Sequence, residues 1–296
     1  MCFVLFPEHR STQHTLRKAF TCKGVGVHSG DLVTMQVIPA APNTGLIIQR
    51  TDIETHNVVI PRWNTVVDTM LCTRVANNHA VSVGTIEHIV SALYACNIDN
   101  AVIHLDAAEV PVMDGSSGIF VENIIAADRI DQGIPRTYLK IHKEVCVEHK
   151  GARASLGPHE TFILDFHFDF RGRADFPAFQ RRFEVGKDSF DKQLATARTF
   201  GILEEVNKLW EAGLARGGSL DNAVVVSGDK VLNSEGLRFE DEFVRHKLLD
   251  ALGDLYLAGY PIIGHFKGHN SGHGLNNQLL HAIFADPSSY TLVTLA

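Results

Sequence analysis

A chain of 296 residues with 45% hydrophobic and 21% charged side chains has the balance of a soluble globular protein, long enough for one large or two ordinary domains. Its net charge of −7 argues against the basic stripe of a nucleic-acid binder, and no apolar run nears the roughly 18 residues that span a bilayer. The five cysteines (Cys2, Cys22, Cys72, Cys96 and Cys146) are odd in number and form no C-x-x-C pair, which reads as reduced thiols in a reducing, cytoplasmic setting rather than a disulfide frame.

In chain order, residues 1–13 read as a frayed leader without the basic start of a signal peptide. Strands separated by turns fill 15–52, with one strand at 32–38 and a loop at 39–45. Strands follow at 57–61 and 64–75, then a helix at 83–95, a buried strand at 101–105, a loop from Pro111 and a second helix at 118–127. The Gly133-Ile-Pro135 turn is the expected domain boundary, dividing the chain into 1–133 and 134–296. The second half restarts with strands at 137–149, 160–168 and 179–185 and a helix at 188–195. A helix at 203–211, a strand at 223–226, a long helix at 239–258, a strand at 262–266, a glycine-rich loop at 267–274 and a helix at 275–284 complete it. Both halves run strands, helix, strand, helix, which suggests two α+β domains, each with its helices on one face of a sheet.

Sixteen histidines raise the prior for a metal site, but position has to decide. In the helix at 83–95, Ile86, Ile89, Val90, Leu93 and Tyr94 form an apolar stripe. At about 100° per residue, His88 falls opposite that stripe and Glu87 on its flank. One glutamate beside one histidine is more often a solvated pair; it matters here because a zinc hydrolase needs a carboxylate next to a ligand to take a proton from water at the metal. In the long helix, His246, Asp250 and Asp254 are spaced i, i+4, i+8 on the face opposite Val244, Leu248, Ala251 and Leu255. A histidine and a carboxylate one turn apart can reach one metal; taken alone, the same spacing also describes a surface charge ladder with Arg245 and Lys247. Together the two helices offer two imidazoles and one carboxylate, the usual protein set for catalytic zinc, although Fe(II), Co(II) and Ni(II) accept the same donors. The glycine-rich loop lacks a Walker pattern. It is either a flexible turn or the carrier of a histidine able to protonate a leaving nitrogen, with Asp254 keeping that imidazole charged.

These residues sit in longer matching stretches: Gly24-Val-Gly-Val-His-Ser-Gly30, Asp68-Thr-Met-Leu-Cys-Thr73, Thr85-Ile-Glu-His88, Pro111-Val-Met-Asp-Gly-Ser116, Ala197-Arg-Thr-Phe-Gly201, the block 232–250 and Ser271-Gly-His-Gly-Leu-Asn-Asn277. Over roughly 15–285 the chain resembles the UDP-3-O-acyl-N-acetylglucosamine deacetylases of lipid A synthesis. The resemblance implies two similar domains packed together with the site between them, and a zinc ion on His88, His246 and Asp250. It makes Glu87 the general base, His273 the general acid oriented by Asp254, Thr199 the oxyanion donor and Lys247 an electrostatic and substrate contact. Phe200, Leu71, Leu203, Val206, Gly218 and Ser219 would line the substrate passage, the 203–220 insert taking the acyl chain. The implied substrate is a UDP-linked, acylated N-acetylglucosamine, met by a cytoplasmic enzyme at or near a membrane surface without an integral span. Lys140, His142, Lys143, Lys247 and Lys267 are the candidates, from charge alone, for a positive patch that receives the nucleotide. Residues 169–183, rich in Phe and Arg, match the family poorly.

Overall fold

The structure, a computed structural model, describes residues 11–172, 174–211 and 213–295. It is an α+β fold with five sheets and six helices among the described residues: α1 (Glu87–Ala95), α2 (Gly118–Ala127), α3 (Phe190–Gln193), α4 (Leu203–Glu211), α5 (Glu242–Tyr256) and α6 (His273–Ala285). Alternation builds the strands. In Leu32–Pro39, Val33, Met35 and Val37 turn inward while Leu32 and Gln36 face solvent. In Phe162–Phe168, Phe162, Leu164, Phe166 and Phe168 are buried while Asp165 and His167 are only partly covered.

Five strands of the first half form one sheet, in the spatial order Phe20–Val25, Leu32–Pro39, Ala101–Leu105, Leu46–Arg50, Val58–Val59. Seven strands of the second half form another around Ile262–His269, which pairs with Ala152–Gly157, Thr137–Ile141 and Phe162–Phe168. Among the described residues no strand before Arg136 pairs with one after it. The most extensive packing between the halves is α1 lying against α5.

That contact is backbone to backbone. A Cβ added at Gly253 would lie 2.2 Å from the carbonyl oxygen of Glu87, so only glycine lets the two helices approach there, although glycine costs an interior helix position about 1 kcal/mol relative to alanine. All nine residues of α1 are buried. The face that the apolar stripe leaves over, carrying Glu87 and His88, is therefore the face turned toward α5, not toward water.

Several local expectations are corrected. The helix expected from 83 begins at Glu87, because Ser82–Val83 is a strand and Thr85 has a φ of 56°, a left-handed conformation a helix cannot contain and a β-branched residue adopts only under constraint. The constraint is Glu109, whose buried carboxylate accepts from the Thr85 hydroxyl (2.8 Å) and from the amides of His28 and Ser29. The single strand expected at 64–75 is two short ones, Val66–Asp68 and Arg74–Ala76, separated where Leu71 takes a φ of 70°. Residues 129–135, expected to end in a turn, are a strand paired with Thr12–Leu16. That pairing also gives residues 12 and 13 a place in a sheet, where a frayed leader was expected; residues 1–10 of that leader lie outside the described residues. The glycine-rich loop is shorter than expected: ladder bonding on both sides carries its strand to His269, leaving 270–272 before α6. The helix at 203–211 lies where the amphipathic pattern puts it.

Candidate metal centre

α1 delivers Glu87 and His88, and α5 delivers His246, Asp250 and Asp254 one turn apart; all five are buried. His246 Nε2 lies 3.3 Å and His88 Nε2 3.6 Å from Asp250 Oδ1. The two imidazoles stand edge to face with centroids 5.0 Å apart. Asp250 Oδ1 is buried and accepts no hydrogen bond. An orphaned carboxylate oxygen with two imidazole nitrogens aimed past it is costly without a partner, and a divalent ion fits: the ligand atoms of His88, His246 and Asp250 all lie within 4.8 Å of one another.

The surroundings prepare these donors. His246 Nδ1–H donates to the Ala197 carbonyl (3.0 Å), leaving Nε2 as the free lone pair, the usual way a metal-ligating histidine is oriented. Burial pushes the His246 imidazolium down to about 3, so the ring is neutral and ligand-competent. Burial opposes ionisation of Asp250, but His246 and Lys247 beside it hold its carboxyl well below the usual range. Lys247 Nζ donates to Asp250 Oδ2 at 2.9 Å and lies 5.3 Å over the Phe200 ring.

Glu87 and His273 face each other across the centre, Oε1 to Nε2 at 3.9 Å. Burial raises the Glu87 carboxyl, against the pull of His273 and His88, which moves a carboxylate toward the range of a working base. The other Glu87 oxygen accepts the Thr73 amide (3.0 Å). His273 opens α6, with Nδ1 at 2.9 Å from Asp254 Oδ2. Burial works against its charge, but Asp254 and Glu87 outweigh it and raise the imidazolium to about 10. Asp254 is held in turn by the Thr73 hydroxyl (2.6 Å) and Asn276 Nδ2 (2.9 Å).

A cavity of about 750 Å³ opens from this centre. Every substrate-contact residue expected from the sequence lines it: Leu71, Phe200, Leu203, Val206, Gly218 and Ser219, with Thr199 and Lys247. Thr199 is set by its amide donating to Gly115 O and its carbonyl accepting from Val224 N–H, both at 2.8 Å. Gly115 has a φ of 85°, and a Cβ there would meet the Asn222 carbonyl at 2.1 Å, so the 111–116 loop needs its glycine. Next to Thr199, the buried guanidinium of Arg198 donates to the buried Glu242 (2.9 Å) at the start of α5. That pair ties the loop carrying Thr199 and the Ala197 carbonyl to the helix carrying two of the candidate ligands.

Of the proposed positive patch, only Lys247 reaches the cavity. Lys140 pairs with Glu160, Lys143 with Asp286, and His142 bonds Thr291; with Lys267, these residues line no part of it. Spacing alone could not separate them, since the partners of Lys140, His142 and Lys143 lie 20 or more positions away. Other residues went unselected. His28 lines the cavity with its Nδ1 buried and unbonded, and burial lowers its imidazolium; its motif was visible, its exposure to the centre was not. Phe168 and Phe170 contribute aromatic wall from the poorly matching stretch and its edge, and Thr73 and Asn276 hold Glu87 and Asp254.

The comparisons with known proteins agree with this arrangement. Residues 13–285 match the sequence profile of the family described as UDP-3-O-acyl N-acetylglycosamine deacetylase. The chain is 44% identical over 287 residues to the UDP-3-O-acyl-N-acetylglucosamine deacetylase of Haemophilus influenzae (strain 86-028NP), covering 95% of this chain and 93% of that protein. It is 43% identical over 293 residues to the enzyme of the same name from Pasteurella multocida (strain Pm70) and 43% over 287 residues to that of Nitrosococcus oceani, with the same coverage. A match over nearly the whole length, with a candidate metal-ligand set assembled from both halves, shows that the chain belongs to the UDP-3-O-acyl N-acetylglycosamine deacetylase family.

Proposed function

We propose that this protein hydrolyses the acetamido group of a UDP-3-O-(3-hydroxyacyl)-N-acetylglucosamine, releasing acetate and the free amine, as a step of lipid A synthesis. The observation that carries the reading is the meeting, in the wall of one largely apolar cavity, of a His/His/Asp donor set with the facing Glu87 carboxylate and His273 imidazolium. The donors suit Zn2+, with Fe2+ an alternative. Bound there, such an ion supplies Lewis-acid polarisation of the amide carbonyl and lowers the pKa of attacking water toward about 7.

The protein's own groups do the rest. Glu87 takes the proton of the attacking water. The Thr199 side chain donates to the developing oxyanion, an interaction worth on the order of 3 kcal/mol per donor in such sites. His273, kept charged by Asp254, hands its proton to the leaving nitrogen. Lys247 neutralises the second oxygen of Asp250 and adds positive charge beside the cavity. The apolar side chains of α4 and Leu71, Phe200 and Leu203 exclude water around the acyl chain, while Gly218 and Ser219 bound the same passage.

In this reading residues 1–133 and 134–296 are the two domains, and the enzyme works in the cytoplasm, touching the membrane surface only transiently. No helix of the described residues is long and apolar enough to cross a membrane. The test is incubation of the metal-replete protein with UDP-3-O-acyl-N-acetylglucosamine and measurement of acetate and free amine. Both should appear in equal amounts, and Glu87→Gln should slow their release by about 10²–10⁴-fold. Release of acetate from other acylated amides but not from this one would overturn the substrate; full turnover by Glu87→Gln would overturn the base.

A further inference from the structure

The large sheet of the second half carries another set of metal-ligating side chains, none of which lines the cavity. His167 and His269 are register partners on the parallel strands Phe162–Phe168 and Ile262–His269. Directly paired residues on neighbouring strands share a face, and the two imidazoles stack with centroids 4.6 Å apart and planes 6° apart. Asp169 follows His167 by two positions, the spacing that returns a side chain to the same face. Its backbone is latched: Asp169 N–H donates to Asn270 Oδ1 and Asn270 N–H to the His167 carbonyl, both at 2.8 Å.

The carboxylate is half committed. Asp169 Oδ1 accepts the Arg171 amide at 2.7 Å, while Oδ2 stands 3.6 Å from His167 Nε2. That is too long for a hydrogen bond. It is close to the separation of two donors around one tetrahedral ion, since bonds of about 2.1 Å at about 109° place their ends about 3.4 Å apart. In the buried centre the corresponding distances are 3.3 and 3.6 Å. Donor atoms of His167, Asp169 and His269 all lie within 4.8 Å of one another, and neither imidazole has a hydrogen-bond partner among the described residues. The neighbouring guanidiniums are turned to other work: Arg153, across from His269, bonds Cys146 and pairs with Glu148 and Glu144, and Arg171 donates to the Lys150 carbonyl.

We propose that His167, Asp169 and His269 form a second divalent-cation site, of the Zn2+, Co2+ or Ni2+ class. His269 is exposed and the other two partly so, so the remaining coordination positions belong to water and the ion exchanges with solvent.

The test counts metal. Holoenzyme dialysed against micromolar free Zn2+ and analysed for bound zinc should carry one more equivalent in the wild type than in His167→Ala, His269→Ala or the double variant, and Asp169→Asn should weaken that equivalent. Turnover of these variants should match the wild type, and their thermal unfolding without added metal should be unchanged. His246→Ala should lose a different equivalent and keep this one, so failure of this site and failure of the proposed reaction are distinguishable. Equal zinc content in the wild type and the double variant, or filling of the extra site only at millimolar zinc, would overturn the proposal.

Discussion

His88, His246 and Asp250 come from two helices packed backbone against backbone, whereas His167, Asp169 and His269 come from the solvent-facing side of a sheet. The donor types are the same and the donor spacings nearly so. The buried set has a carbonyl fixing one imidazole, a lysine on the spare carboxylate oxygen, and Glu87 and His273 within reach of whatever is bound. The sheet set has a latch on its aspartate and open water beyond. The donor geometry suits a metal in either place, but only the buried set has a carboxylate and an imidazolium placed for the proposed proton transfers. What sets the buried centre apart is its second ring of partners: burial raises the Glu87 carboxyl, and the charges of Asp254 and Glu87 raise His273 against the effect of burial.

The largest expected effect separates the two sets by activity. His246→Ala removes a proposed buried ligand, and acetate release should fall by about three orders of magnitude or more, as it does when groups acting as a unit lose a member. His269→Ala should change turnover less than about twofold, the range of a surface substitution away from a site. Equal losses in the two variants would erase the distinction between the sets.

How much of this was legible in the sequence follows from how local each relation is. The i, i+4 placement of His246 and Asp250 needs only helix geometry, and α4 announces itself by its stripe. Glu87 beside His88 is a covalent fact. The partners that give those residues a role are not local: Thr73 and Asp254 are 181 positions apart, His246 and Ala197 49 apart. No periodicity reports them, and the assignments of His273 and Thr199 rested on resemblance. Backbone exceptions were equally hidden. Thr85 adopts a left-handed conformation that Glu109 holds in place, Leu71 adopts another, and propensity argues against both. The His167–His269 pair was invisible for a third reason, since the ladder that carries a strand to His269 lies in a segment whose glycines read as a loop.

The next effect concerns the acid. Asp254→Asn keeps the shape of the side chain and removes its charge. The folded pKa of His273 is raised to about 10, with Asp254 the largest of the raising influences, so losing that charge lowers it. His273 then gives up its proton at a lower pH, and the alkaline limb of the rate profile should move toward neutrality. Turnover near neutral pH should fall about 10–100-fold, as for other residues that orient a catalytic group. The sheet set has no counterpart to this coupling, so Asp169→Asn should leave the profile where it is. A profile unmoved by Asp254→Asn would mean that the proton comes from elsewhere.

The smallest effect tests the packing that buries one set and not the other. By helix propensity alone, Gly253→Ala should stabilise α5 by about 1 kcal/mol. The contact predicts the opposite sign, because the new methyl meets the Glu87 carbonyl oxygen at 2.2 Å and backbone cannot step aside as a side-chain tip can. Overpacking of this kind costs about 1–3 kcal/mol, read as a lower midpoint in thermal or denaturant unfolding. The displaced atom belongs to Glu87, the proposed base, so a few-fold loss of turnover should accompany the loss of stability. A stabilised, fully active Gly253→Ala protein would mean that α1 and α5 can separate without disturbing Glu87, and that the close approach of the helices is not what holds the centre together.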